Sequence, residues 1–172
     1  MLERAVVISA LDEAYQNSIK RCHEEVLRLP VGMVIRLGKD ISGCDVLLEV
    51  VQPLDQEITL MARSLSDKRE YALISAEDRQ EIIRGDESST DPDSVFDALS
   101  RLGARNEAGL FSHTHWNDQL NPLPSTGDIG LGDLAFWGAF RGTFPNLECR
   151  VVTYSSGTIK AFRYLGFFEN LQ

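Results

Sequence analysis

Two of the chain's three histidines stand two positions apart, as His113-Thr114-His115. In an extended strand alternate side chains share a face, so this pair presents two imidazoles on one side. By strand rise they are about 7 Å apart along the backbone, near enough to converge on one ion. Zinc accepts imidazole and carboxylate in a tetrahedral shell, and a catalytic zinc keeps one position for water. A third ligand must come from elsewhere in the chain. Asp128 suits that role, because it opens a helical pattern after a short loop, Pro124-Ser125-Thr126-Gly127-Asp128. The same segment also reads as a plain capping box, with Ser125 as N-cap and Asp128 at the third helical position. A cap of this kind sets where the helix starts, and therefore where Asp128 points. The remaining histidine, His23, falls in a helical pattern and reads as a surface side chain.

The elements that must position these residues follow from pattern. Ala5 to Ile8 is a short apolar run, and Ser9-x-x-Asp12 opens a helix expected from about Ala10 to Leu27, ended by Pro30. Val31–Leu37 and Asp45–Gln52 read as two strands of a hairpin across a Gly-containing turn. Glu57–Ala62 is expected as a third strand and Tyr71–Ile74 as a fourth fragment. Ser75-Ala76-Glu77-Asp78 has the form of a capping box, which predicts a helix running to Arg84 and closed by Gly85. Asp86–Asp93 is an acidic, Pro-containing stretch and reads as a solvated loop. A short helix over Val95–Leu102, closed by Gly103, leads to a strand over Gly109–Trp116 that carries the histidine pair. A helix over Ser125–Phe140 then turns Trp137 and Phe140 to the core, and Trp116 packs near the pair or lines a groove beside it. A last hairpin pairs Arg150–Tyr154 with Thr158–Leu165. The sum is one mixed α/β domain over residues 1–172, with a curved, mostly antiparallel sheet flanked by helices.

Composition narrows the function classes. The 172 residues are 43% hydrophobic, enough for a single-domain core, and carry a formal charge of −9. A surface of that sign lacks the Lys/Arg surplus that grips nucleic acid or anionic lipid, so no nucleic-acid partner is expected. Cys22, Cys44 and Cys149 lie far apart and form no Cys-x-x-Cys, which removes a thiolate zinc cage and a dithiol redox motif. Unpaired cysteines fit a reduced, cytoplasmic setting. The acids in the first fifteen residues do not suit a signal peptide, and no apolar run approaches the ~18 residues of a membrane span.

His113-Thr114-His115 followed by Pro124-Ser125-x-x-Asp128 resembles the JAMM signature of the JAB/MPN metalloproteases. The spacer from Trp116 to Pro124 has nine residues, two more than the family's usual pattern. The likeness extends along nearly the whole chain at low identity. Val7-Ile8-Ser9 is similar to the family's opening, Gly32–Gly38 to its glycine-bounded first strand, Asp45–Asp55 to its second and Ile159–Arg163 to its last. The resemblance implies an MPN-like (cytidine-deaminase-like) domain and a zinc ion held by His113, His115 and Asp128. It implies that Ser125 donates a hydrogen bond to the developing oxyanion or to the bound water. It further implies a peptide or isopeptide bond as substrate, at the C-terminal tail of a ubiquitin-like or other small modifier protein.

The family's pattern also has a general-base Glu about three residues before the first-strand glycine. Counting back from Gly32 reaches Leu29, whereas Glu24 and Glu25 lie one helical turn earlier. Glu25 is the leading candidate for the base, Glu24 and Glu49 are alternatives, and a chain without the base is the remaining option. In that last case the protein is a non-catalytic MPN-like module that binds a partner protein. Glu107 shares parity with His113 but stands six residues away, about 20 Å in a strand. Hydrolysis of a small amide is a further possibility, whereas zinc-deaminase chemistry lacks its His-x-Glu and Pro-Cys-x-x-Cys residues.

Overall fold

A computed structural model describes residues 5–8, 28–39, 45–87, 89–116, 133–155 and 157–167. Its strands are β1 (Ala5–Ile8), β2 (Val34–Lys39), β3 (Asp45–Val51), β4 (Tyr71–Ala76), β5 (Arg79–Arg84), β6 (Gly109–His115), β7 (Leu147–Ser155) and β8 (Thr158–Phe167). The described helices are α1 (Asp55–Asp67), α2 (Pro92–Leu102) and α3 (Asp133–Thr143). All eight strands join one open sheet in the order β1-β2-β3-β8-β7-β6-β4-β5. The six contiguous strands from β3 to β5 carry the three helices. Only β1–β2 and β6–β7 pair in parallel, so the sheet is mixed and mostly antiparallel, as the sequence predicts.

Alternation along the strands divides the core between two faces. Leu48 and Val50 of β3, Ala72 and Ile74 of β4, Phe111 of β6, Cys149 and Val151 of β7, and Phe162 of β8 are buried together on one face. There they meet Val95, Ala98 and Leu99 of α2 and Trp137, Phe140 and Phe144 from α3 and its end. The intervening residues face α1. Leu60 packs with Tyr71 and Leu73, and Met61 with Val152 and Ala161. The result is a helix–sheet–helix sandwich with β6 well inside the sheet.

Two expected elements are corrected. Glu57–Ala62 is not a strand but the start of α1. Its buried residues Glu57, Leu60, Met61 and Ser64 recur at helical spacing, and the Glu57 side chain accepts the backbone N–H of Leu54 at 2.8 Å. Ser75–Arg84 is not a helix but the hairpin β4–β5, with Ala76 opposite Arg79. Its two-residue turn is made by Glu77 at φ +53° and Asp78, a positive φ of the kind tight hairpin turns require. Elsewhere the expected first strand begins later, at Val34, because Gly32 (φ +96°) and a Met33 N–H to Pro30 carbonyl bond make a turn there. α2 closes on Gly103 at φ +89°, and the final hairpin is longer than expected. The expected helix over residues 10–27 lies outside the described residues. Among the described residues, no helix is long and apolar enough to cross a membrane.

Candidate metal centre on strand β6

β6 places the histidine pair on the face covered by α2 and α3. In register, His113 lies between Ala72 of β4 and Val151 of β7, and His115 lies beside Thr153 of β7. His113 is 1% exposed, whereas His115 is half-buried at the strand's end. Their Nε2 atoms are 3.1 Å apart and their rings meet edge-on at 70°. Apolar packing holds His113 in that orientation: Phe111 lies 5.4 Å and Trp137 5.9 Å from it, centroid to centroid.

The donor geometry fits a metal ion. Two nitrogens bound to one tetrahedral zinc at about 2.0–2.1 Å are separated by ~3.3 Å, and the Nε2–Nε2 gap of 3.1 Å is close to that edge. A shared proton and a shared metal ion are alternative occupants of the same gap. Two further polar atoms border this face. Thr153 Oγ1, in a fully buried residue beside His115, and Trp137 Nε1, in a fully buried ring against His113, have no hydrogen-bond partner among the described residues. Buried donors without partners are costly in a finished core.

No group of three His, Cys, Asp or Glu side chains able to hold a metal ion comes together among the described residues. The expected third ligand Asp128, the expected oxyanion donor Ser125, and the candidate bases Glu24 and Glu25 all lie outside those residues, as does His23. What the structure does describe is how the flanking segments meet the site. α3 begins five positions after Asp128 and lays Trp137 on His113. On the N-terminal side, Leu29 and Met33 pack against the same core as the histidines. Lys160 of β8, opposite Thr153 and thus in the row of His115, donates to the Leu29 carbonyl at 3.0 Å. The segment Leu29–Met33 therefore meets the sheet on the histidine face, with Leu29 tied to β8 at the level of the His115 row.

One candidate base, Glu49, is excluded by position, and Glu107 stays remote as the sequence spacing implies. Glu49 sits in β3 with its side chain on the α1 face, opposite to Leu48 and Val50, and is ion-paired there with Arg163. The sheet separates it from the histidines. Glu107 precedes β6 at the far end from His115, near Gly103. Partial burial, and then the carboxylate of Glu77, push the Glu107 carboxyl above its ordinary value. Trp116 follows His115 and is half-buried, and its indole N–H donates to the Glu87 carbonyl at 2.9 Å. It thereby ties the acidic loop, whose Asp86, Glu87, Asp91 and Asp93 are exposed, to the end of β6.

The residues missed by sequence reasoning lie on the other face. Glu57 is fully buried and Arg150 is 5% exposed, and they form a two-point ion pair at 2.7 and 2.9 Å. Arg150 also reaches Glu148 at 3.1 Å and the Gln52 carbonyl at 3.0 Å. The available signal is a Glu, Glu57, at the head of the otherwise mostly apolar run Glu57–Ala62. A cavity of about 380 Å³ lined by Asp55, Thr59, Leu60, Arg63, Leu73 and Ile82, among others, also opens on this α1 face, away from the histidines. Comparison with protein-family models, with curated proteins and with solved structures finds no match to this chain.

Proposed function

We propose that this protein is a zinc-dependent hydrolase of the JAMM/MPN type. Its substrate is a peptide or isopeptide bond at the C-terminal tail of a ubiquitin-like or other small modifier protein. The observation that carries the proposal is the 3.1 Å approach of two Nε2 atoms on one buried face. The Ser125-x-x-Asp128 segment just before α3 supports it, because that helix packs on His113. In this scheme His113, His115 and Asp128 hold the ion. Zinc, when bound, polarises the scissile carbonyl and lowers the pKa of water towards ~7. The Ser125 hydroxyl donates to the carbonyl oxygen as negative charge develops there. Glu25 takes the proton of the attacking water and delivers it to the leaving amine. The anchoring of Leu29 beside the row of His115 supports that assignment.

Calorimetric titration of chelator-treated protein with zinc tests the centre. About one equivalent is expected to bind, and His115→Ala and Asp128→Ala are expected to abolish binding with the fold retained. A folded wild type that takes up no zinc would overturn the proposal. Cleavage of ubiquitin-like fusions tests the reaction, with Glu25→Gln expected to stop turnover while zinc stays bound.

One observation favours a second reading, a non-catalytic MPN-like module that binds a partner protein. The position counted back from Gly32 holds Leu29, whose side chain packs against the core. Retained zinc with no cleavage of any fusion or peptide library would select that reading.

A further inference from the structure

β6 is polar on both faces. Between Phe111 and Trp116 the strand reads Ser112-His113-Thr114-His115, and Ser112, His113 and Thr114 are buried. Helix α1 satisfies the face away from the histidines. Ser112 Oγ donates to Glu57 Oε2 at 2.5 Å. Thr114 Oγ1 lies 2.7 Å from Ser64 Oγ and accepts the Tyr71 N–H at 3.0 Å. Ser64 in turn donates to the Arg69 carbonyl, so its single proton is used and Thr114 is the donor between the two hydroxyls. Arg150, the register partner of Ser112, fixes Glu57 to β7 as well. His113 is thus flanked by two residues that are both held from behind by one helix.

Stability alone does not call for this arrangement. Apolar side chains of similar volume often replace a buried ion pair at no loss, and the best-attested use of such groups is to specify register. Here the register has a consequence. A slip of one residue in β6 would turn His113 towards Glu57 and put Ser112 and Thr114 against Trp137. We infer that Glu57 and Ser64 are positioning residues for the His113–His115 pair. Through Ser112 and Thr114 they hold β6 so that the two Nε2 atoms stay at chelating distance. The inference rests on the metal-binding proposal above.

Zinc titration of the full chain, with urea unfolding of the metal-free protein in parallel, separates positioning from bulk stability. The double variant Ser112→Ala/Thr114→Val removes the strand's half of the contact and leaves Glu57 with Arg150. It is expected to stay folded and to bind zinc at least about tenfold more weakly, the lower end of the range for outer partners of a metal site. Thr114→Ser, which keeps the hydroxyl, is expected to bind as the wild type does. A purely structural contact would shift the urea midpoint and leave the affinity of the folded protein unchanged. Wild-type affinity in the folded double variant therefore overturns the inference and leaves the metal centre standing. A wild type that binds no zinc overturns both. If the double variant does not fold, Ser112→Ala alone is judged by the same comparison.

Discussion

Ser125 and Glu57 illustrate two ways in which one side chain matters. Ser125→Ala removes one donor to a developing oxyanion, which typically costs ~3 kcal/mol of barrier, a hundredfold in rate or more. It is expected to lower kcat by that factor and leave zinc content unchanged, as read by steady-state kinetics and metal analysis. Glu57→Ala carries a large stability cost besides the positioning role of Glu57. It leaves the buried guanidinium of Arg150 without its two-point partner, and breaking a buried pair from one side costs about 3–5 kcal/mol. Urea unfolding should show that loss. Arg163→Ala should cost about 1 kcal/mol or less, because its side chain is 37% exposed and its pairs with Glu49 and Glu148 are screened.

At the scale of elements, the β4–β5 turn has a testable weakness. Glu77 holds φ +53°, where a side chain costs about 1–2 kcal/mol relative to ordinary backbone. Glu77→Asn, better suited to that region, is expected to raise unfolding stability by roughly 0.5–1 kcal/mol. The neighbouring Glu107 carboxyl is raised in the folded state by partial burial and then by Glu77. The folded protein therefore holds this proton more tightly than the unfolded chain does. Stability falls as pH rises from the ordinary carboxyl value, 4.5, through the raised folded one. In Glu107→Gln that part of the pH dependence should vanish from the unfolding midpoint. The same turn explains a misreading. Ser75-Ala76-Glu77-Asp78 has the residues of a helix cap and none of the Gly or Asn that marks a hairpin, so local chemistry pointed to the wrong element. α1 was hidden for a related reason. Its buried stripe includes Glu57 and Ser64, polar residues that break an apolar count but are satisfied by partners on β6 and β7.

For the whole molecule, the formal charge of −9 bears on partners. A substrate tail or patch rich in Lys and Arg would be steered towards it, and the association rate should fall as salt shortens the Debye length. Stopped-flow association at 50 and 300 mM salt, taken as about 14 and 6 Å of screening, measures that dependence. Equal rates would exclude electrostatic steering. What the sequence by itself determined was local and periodic. A His-x-His in a strand must present both rings on one face, the glycine after α2 must end it, and two β-rich runs across a short polar turn must pair as hairpins. The tertiary structure alone decided what lies across the sheet. It put Glu49 behind β3 and out of reach, turned Glu57 and Arg150 into a buried pair, and brought the Leu29 segment to the row of His115. Those outcomes depend on contacts between residues far apart in the chain. Alternation fixes only that neighbouring residues face opposite ways; which helix covers each face is set by the packing of the whole sheet.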